Sequence, residues 1–254
     1  MNDAPPLIRH LGQVPYEPTW RAMQKFTDDR DSSTPDEIWF VEHPPVFTLG
    51  LNASREHLLS TGDIPVVQID RGGQVTYHGP GQLVVYPLID LSRHRLGVRE
   101  LVVALENAVI AYVAELGVTA HGSREAPGVY VEGAKLASVG LRIRRRASYH
   151  GLALNVSLDL APFERINVCG HRGLAVTRLA DHSPRIADMG SAAAMSIVAQ
   201  GLAPHLLRHL KFRTDEAPPD EGAHDEGASY GGAPTGGRTG YSAINTALHA
   251  VNSR

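Results

Sequence analysis

Residues 71–91, RGGQVTYHGPGQLVVYPLIDL, carry the densest structural signal in this chain. The first half holds four glycines and a proline, and glycine lets main chain approach a ligand closely. Polar side chains on the same half supply hydrogen-bond donors and acceptors: Arg71, Thr76, His78 and Gln82. The second half, residues 82–90, is nearly all apolar, as in a buried strand. We therefore expect a binding loop that leads into a core strand, with a polar hairpin as the alternative.

Apolar and β-branched runs on both sides of this segment predict further strands. They cover residues 36–42, 43–50, 65–70, 128–132, 135–144 and 149–157. Apolar residues recur at helical spacing over 98–117, where Gly117 ends the helix, and a second helix is predicted over about 190–211. Strands outnumber helices and no repeat of 20–50 residues is present. This pattern predicts a single α/β (α+β) domain.

The composition changes at residue 214. Residues 214–254 are rich in glycine, proline and acidic residues and contain almost no large apolar side chains, so they cannot bury enough surface to fold alone. We expect residues 1–213 to form the folded domain and 214–254 to form a disordered C-terminal tail.

The overall composition is typical of a globular protein, with 254 residues, 43% hydrophobic, 20% charged and a net charge of −3. This charge does not favour nucleic acid as a partner. The first residues lack the pattern of a secretory signal, and no apolar run approaches the 18 residues of a membrane span. A single cysteine cannot form an internal disulfide. We therefore predict a cytoplasmic location, with no membrane contact and a reduced thiol.

The single cysteine, Cys169, lies in the segment INVCGHRG, residues 166–173. A lone cysteine is commonly a small buried apolar residue. Here a glycine and two basic residues follow it, which favours an exposed turn and a stabilised thiolate. A nucleophilic thiol needs a base or a cation beside it. From the residues alone the candidates stay open: His43, His78, Lys135 and His150.

Two weaker patterns are more typical of solvated surfaces than of sites. His205 and His209 have the spacing of a metal pair, but the glutamate of the helical zinc motif is absent, and we predict no metal. The basic run over residues 142–146 could dock an acidic partner, although charge runs are commonly solvated faces.

The glycines of residues 72–81 match neither the phosphate loop nor the dinucleotide fingerprint.

Taken together, these segments resemble the lipoyl(octanoyl) transferases, enzymes of protein lipoylation. The resemblance covers roughly residues 40–180 and rests on RGGQVTYHGPGQLVVYPLIDL, GAKLASVGLRI, HGLALNV and INVCG, in the family's order. The family shares its α/β fold with the catalytic domains of lipoate ligases and biotin protein ligases. The resemblance therefore implies a mixed sheet flanked by helices, with 1–213 as the catalytic domain.

The resemblance also implies the roles of individual residues. Cys169 would form an acyl-thioester, and Lys135 would stabilise its thiolate and shuttle protons, with His43 and His150 as possible support. The substrate pocket would be formed by Arg71, Gly72, Gly73, Gln74, Val75, Thr76, Tyr77, His78, Ser138, Val139, Gly140, Gly151, Leu152 and Ala153. The family's donor is octanoyl-acyl carrier protein. Its acceptors are lipoyl domains of 2-oxoacid dehydrogenase complexes and the glycine-cleavage H protein, and no cofactor is implied.

This chain departs from the family at one position, because many members have proline where Val168 precedes the cysteine. The departure loosens one backbone constraint and leaves the reacting groups in place. Two alternatives remain beside the transferase. One is an ATP-dependent lipoate or biotin ligase of the same fold, and the other is a non-catalytic binder of acyl carrier protein or lipoyl domains.

Overall fold

The computed structural model of this chain describes residues 5–212. Its helices are α1 (Tyr16–Asp29), α2 (Val98–Glu115), α3 (Pro184–Ala187) and α4 (Ser191–His209). Its strands are β1 (Leu7–Gln13), β2 (Glu37–Glu42), β3 (Val46–Leu49), β4 (Val66–Gln68), β5 (Val75–His78), β6 (Gln82–Leu88), β7 (His121–Gly122), β8 (Gly128–Val131), β9 (Ala134–Arg144) and β10 (Ala147–Asn155). The tail predicted over 214–254 lies outside the described residues. None of the helices in the described part of the chain is long and apolar enough to cross a bilayer.

The strands of residues 5–212 form two sheets. Seven of them lie in the order β1-β2-β6-β10-β9-β8-β7, and three lie in the order β4-β3-β5. Only the pairs β1–β2 and β3–β4 are parallel in this part of the chain, and the other ladders are antiparallel. The predicted mixed sheet flanked by helices is confirmed.

Both faces of the large sheet are covered, which explains the near-continuous apolar runs of its central strands. Alternate residues of β2 point to opposite faces, so that Phe40 packs with α2 and α4 while Trp39 packs with α1. Strand β6 follows the same rule, with Val85 on the first face and Val84 on the second. Helix α1 and the larger helical pair therefore enclose the sheet from two sides.

The small sheet has its own core, which it shares with the chain that follows β10. Phe47 of β3 and Tyr77 of β5 pack against Phe163 and Val168 in this cluster. An isolated bridge joins Leu58 to Ile166, which attaches the segment before Cys169 to the loop after β3. This second core brings the cysteine segment to the side of the small sheet.

The structure contains five strands and helices that the sequence-based expectation lacked: β1, α1, β5 and the short elements β7 and α3. Strand β1 and helix α1 lie in residues for which no element was predicted, and residues 75–78 form strand β5 within the predicted loop. Strand β1 is exposed along its whole length at the edge of the sheet, so burial leaves no alternating pattern in its sequence. Helix α1 does carry a pattern, because Tyr16, Trp20, Met23 and Thr27 form a buried stripe at helical spacing.

Candidate active site

Cys169 lies in a tight turn, Val168–Gly170, where its own backbone is left-handed, with φ 55° and ψ 20°. For a residue other than glycine, this conformation costs on the order of 1–3 kcal/mol and is common at functional sites. Gly170 follows with φ 81°, and a Cβ there would lie 3.0 Å from Gln74 Cγ and 3.3 Å from His57 Nε2. The turn is thus pressed against the glycine-rich segment and holds the thiol in a fixed direction.

Lys135 lies beside this thiol. Its Nζ is 3.1 Å from Cys169 Sγ and also donates to the carbonyl of Pro127 at 3.2 Å. The side chain is only 1% exposed, and its ammonium lies 5.2 Å from the centre of the Tyr130 ring. Two main-chain bonds fasten Lys135 to residues 175–177, just beyond the cysteine turn. This pairing holds Lys135 alongside the segment that follows the cysteine turn.

The side-chain hydrogen-bond partner of Lys135 is a thiol and not a carboxylate. Within residues 5–212, Lys135 forms no salt bridge with a carboxylate. Glu106 lies nearby and accepts a hydrogen bond from the Gly128 amide at 2.7 Å. Burial raises the pKa of Glu106, and the charge of Lys135 partly offsets this effect. The Cys169 sulfur is therefore the side-chain atom that Lys135 Nζ meets at hydrogen-bond distance in the described residues.

A cavity opens beside Cys169, which forms part of its wall. Thirteen of the fourteen residues predicted for the substrate pocket line this cavity: Arg71, Gly72, Gly73, Gln74, Val75, Thr76, His78, Ser138, Val139, Gly140, Gly151, Leu152 and Ala153. Tyr77 does not, because it lies on strand β5 and packs instead against Phe47 and Phe163. Successive side chains of a strand point to opposite faces, so Tyr77 points away from Thr76 and His78. The sequence-based prediction treated this segment as a loop, which has no such alternation.

Four further residues line the cavity. Tyr16 comes from helix α1, Val84 and Tyr86 from strand β6, and His150 from strand β10. His150 was predicted only as possible support. The tyrosines were missed, although the helical spacing of Tyr16 with Trp20 would have placed Tyr16 on the sheet-facing side of α1.

Glycines let the cavity wall come close to the backbone of neighbouring strands. A Cβ on Gly151 would lie 1.9 Å from the carbonyl oxygen of Val85 on strand β6. A Cβ on Gly140 would lie 3.1 Å from Arg71 Cδ and 3.2 Å from the Gly72 carbonyl. Any larger residue at position 151 must therefore displace main chain, which explains why the pocket is built from small residues here.

Arg71 places a buried guanidinium on the cavity wall. It donates to the carbonyl of Thr48 at 2.8 Å, to the Thr48 hydroxyl at 2.9 Å and to the Gly72 carbonyl at 2.9 Å. Burial lowers the pKa of Arg71, and nearby acidic groups including Cys169 oppose that shift. Because no carboxylate bonds to it among residues 5–212, Arg71 adds positive potential to the site.

Two histidines beside the cavity have both ring nitrogens occupied. His43 pairs with the Val14 carbonyl and with the Tyr86 hydroxyl, each at 2.7 Å. Burial lowers the pKa of His43 to about 4, and burial together with His43 lowers the pKa of His78 to about 3. His78 bonds to Gln82 at 2.7 Å. Both rings are therefore neutral near pH 7 and serve to hold Tyr86 and the β5–β6 turn.

The weaker sequence patterns lie outside this cavity. Arg144 pairs with Asp28 at 3.0 Å, and Arg145 and Arg146 form the left-handed turn between β9 and β10. His205 bonds to Glu115 at 3.0 Å. Over residues 5–212, no group of three or more His, Cys, Asp or Glu side chains is arranged to hold a metal ion.

The chain matches a known protein family over most of its length. The family model described as "Lipoyl protein ligase A/B catalytic domain" matches residues 15–202. The chain belongs to this family. An octanoyltransferase from Chromobacterium violaceum is 55% identical over 213 residues, which cover 84% of this chain and 100% of that protein. An octanoyltransferase from Chromohalobacter salexigens is 64% identical over 178 residues, which cover 70% and 81%. The predicted relation to the octanoyltransferases, and with it the acyltransferase class of enzyme, is confirmed.

Solved structures of the lipoyl protein ligase A/B family and its neighbours share the fold. A lipoate-protein ligase A bound with ATP superposes with a TM-score of 0.65 at 17% identity, over 84% of this chain and 89% of that one. A biotin protein ligase from Aquifex aeolicus gives a TM-score of 0.50 at 13% identity, over 81% and 72%. At these identities the likeness establishes the fold alone, which is the one predicted.

Proposed function

We propose that this chain transfers an octanoyl group from a carrier thioester to a lysine of an acceptor protein, with Cys169 as the covalent acyl carrier. The observation that carries the proposal is the 3.1 Å contact between Lys135 Nζ and Cys169 Sγ at the wall of an apolar cavity. The high identity to octanoyltransferases supports the octanoyl group as the one transferred.

In the first half-reaction, the Cys169 thiolate attacks the carbonyl carbon of the donor thioester. The new carbon–sulfur bond to Cys169 forms, and the bond to the carrier sulfur breaks. The departing carrier thiolate takes a proton from the Lys135 ammonium, which lies within hydrogen-bond distance of the attacking sulfur. One thioester replaces another, so this step is close to balanced in free energy.

In the second half-reaction, the amine of the acceptor lysine attacks the Cys169 thioester. The carbon–nitrogen bond forms, the sulfur leaves as a thiolate, and the now neutral Lys135 takes a proton from the amine of the intermediate. An amide is more stable than a thioester, so the step runs downhill without a nucleotide. The Lys135 amine is placed to accept that proton, because its Nζ lies 3.1 Å from the Cys169 sulfur.

Acyl carrier protein is the donor that we propose, with lipoyl domains and the glycine-cleavage H protein as acceptors. A donor on a long flexible arm suits a narrow cavity lined by glycines and apolar residues. We also infer a cytoplasmic location, since a reducing compartment keeps the Cys169 thiol available.

Intact-mass spectrometry tests the covalent intermediate. Incubation with octanoyl-carrier protein should add one octanoyl mass to the enzyme, and C169A should abolish both the adduct and the modification of a lipoyl domain. The alanine removes only the sulfur, and the partly exposed position should leave the fold unchanged. Full acceptor modification by C169A would refute the mechanism.

The same assay separates the two alternatives. An ATP-dependent ligase should modify the acceptor with free octanoate and ATP, and it should do so in C169A. A non-catalytic binder should hold the carrier or the lipoyl domain without any mass change. Transfer from the carrier thioester alone, lost in C169A, is the result that we expect.

A further inference from the structure

The proton balance of the proposed reaction leaves one proton without an acceptor. A lysine side chain is an ammonium near neutral pH, with an ordinary pKa of about 10.4. It must lose that proton before it can attack a thioester. The single proton that Lys135 gives to the carrier thiolate is recovered from the amine in the second half-reaction. The first ammonium proton of the acceptor therefore needs a second base.

His150 offers an unoccupied base position on the cavity wall. Its Nε2 lies 2.9 Å from Asp70 Oδ1, so the ring nitrogen that faces the carboxylate carries the hydrogen. Its Nδ1 is buried and has no hydrogen-bond partner among residues 5–212. The ring is 1% exposed and lines the same cavity as Cys169. An imidazole nitrogen that has no hydrogen-bond partner can accept a proton.

The backbone of His150 is held at φ 58°, in the left-handed region that costs a residue other than glycine on the order of 1–3 kcal/mol. The neighbouring Gly151 packs within contact distance of strand β6, which fixes the path of the chain at this point. A strained backbone at a histidine that lines a cavity is typical of a functional position.

Asp70 is built to remain ionised and to hold His150 in one tautomer. Besides the histidine, it accepts hydrogen bonds from Trp20 Nε1 at 2.9 Å, Gln24 Nε2 at 3.2 Å and the Tyr149 hydroxyl. Burial opposes ionisation, but the bonds from His150 and Tyr149 hold the pKa of Asp70 well below its usual range. A carboxylate that only packed beside helix α1 would not need four hydrogen-bond donors.

We propose that His150, oriented by Asp70, is the base that takes the first proton from the acceptor lysine. This inference rests on the proposed function. The acceptor ammonium gives its proton to His150 Nδ1, the free amine attacks the Cys169 thioester, and the imidazolium then releases its proton to water. Lys135 serves the leaving thiolate, and His150 serves the incoming amine.

Groups on every packed element set the protonation of His150. Burial lowers its pKa, the bond and charge of Asp70 raise it, and Arg71 and Arg142 lower it further. Tyr149 stacks beside it with ring centres 5.0 Å apart. His78 on strand β5 also interacts with it electrostatically. The balance keeps the ring neutral near pH 7, as a base requires.

The test separates the two half-reactions in H150Q, where glutamine can still donate to Asp70 but cannot take a proton. We expect the rate of octanoyl adduct formation on Cys169 to change by less than about threefold. We expect transfer to the lipoyl-domain lysine at pH 7 to fall by roughly 10²–10⁴-fold, the usual contribution of a positioned base. Transfer should recover steadily as pH rises, because the acceptor then loses its proton to solvent.

A nucleophile that needs no base supplies the decisive comparison. Hydroxylamine is uncharged near pH 7, so it should remove the octanoyl group from H150Q and from the native enzyme at similar rates. A purely structural role for His150 would slow both nucleophiles equally, and that result would overturn the proposal. H150G, whose backbone suits φ 58°, should regain transfer to the lipoyl domain with added imidazole.

H57Q is the matched control. His57 also has a buried ring nitrogen without a partner in the described residues, and it packs against Gly170. We expect H57Q to keep lysine transfer within about threefold of the native enzyme. Loss of transfer in H57Q, with normal transfer in H150Q, would assign the base to His57 and refute the proposal. Absence of any octanoyl adduct on the native enzyme would instead refute the proposed function.

Discussion

At the scale of single residues, the proposed chemistry depends on two contacts between groups that are distant in sequence. Lys135 and Cys169 are 34 residues apart, and Asp70 and His150 are 80 apart. Each pair contains a buried ionisable side chain, Lys135 in the first and His150 in the second, and a partner at hydrogen-bond distance. In the proposed mechanism, the lysine ammonium stabilises the thiolate and the carboxylate fixes the tautomer of the histidine.

The Lys135–Cys169 contact predicts an effect on the thiol that needs no substrate. In K135M, the side chain keeps its length but loses its charge, so less of the sulfur is thiolate at pH 7. Alkylation of Cys169 by iodoacetamide at pH 7 should slow by about tenfold or more, since an ordinary thiol is only a few per cent thiolate there. At alkaline pH the native and K135M rates should converge.

K25M provides the control for this measurement. The Lys25 side chain is 78% exposed and pairs only with Asp29 on the same helix. Its replacement should leave the alkylation rate unchanged. Equal alkylation rates for K135M and the native protein at pH 7 would show that the ammonium does not control the thiol.

At the scale of elements, the packing of α4 against α2 reverses the change in stability that sequence alone would predict for a glycine replacement. Gly201 lies inside α4, where replacement of glycine by alanine ordinarily stabilises a helix by about 0.5–1 kcal/mol. A Cβ at this position would lie 2.3 Å from Cε2 of Tyr112 on helix α2. Tyr112 is only 3% exposed, so its ring has little room to move.

We therefore predict that G201A lowers the free energy of unfolding, because overpacking costs about 1–3 kcal/mol. In a Y112L background the ring is absent, and the same change should become neutral or stabilising. Urea unfolding of the four proteins in this cycle measures the coupling. A stabilised G201A in the native background would mean that the two helices separate at no cost.

The predicted elements were confirmed where burial leaves an apolar run or an apolar period in the sequence. Strand β6 was predicted from a nearly continuous apolar run, and helix α2 from apolar residues that recur at helical spacing. Strand β1 was missed because it is exposed along its length, so that no alternation of apolar residues marks it. Strand β5 was missed because two glycines and a proline directly follow it and resemble a loop.

At the scale of the whole molecule, buried neutral histidines couple stability to pH. Burial lowers the pKa of His43 to about 4, that of His78 to about 3, and that of His150 below its ordinary value of about 6.5. As the pH falls below about 6.5, the unfolded chain therefore binds protons that the folded chain does not. Acid must then favour unfolding. The lowered pKa of Asp70 acts in the same direction at still lower pH.

We predict that the free energy of unfolding falls steadily from pH 6.5 to pH 4.5, by up to about 1.4 kcal/mol per pH unit for each such histidine. Urea unfolding at a series of pH values measures this slope. H43Q should reduce the slope, whereas H121Q, at an exposed position on strand β7, should not. A stability that stays constant over this range would contradict the assignment of these rings as neutral.

The sequence by itself determined the family, the fold class and most of the cavity wall. The fold class follows from local information, because a hydrophobic period or a turn residue is read within a few neighbouring positions. The family and the pocket residues were implied by the resemblance of the motifs, and thirteen of those pocket residues line the cavity. Tyr77 does not line the cavity, because it lies on a strand whose alternate side chains face the core of the small sheet. A loop, as predicted for this segment, would not impose that alternation.

Only the tertiary structure decided which side chains meet. The sequence left four candidate partners for Cys169, and the family resemblance favoured Lys135. In the structure, the start of β9 pairs with residues 175–177, and Lys135 Nζ lies beside the sulfur. The strand register likewise sets His150 beside Asp70, and α1 brings Tyr16 to the cavity. Such contacts depend on the path and register of the whole chain, and no local pattern records them.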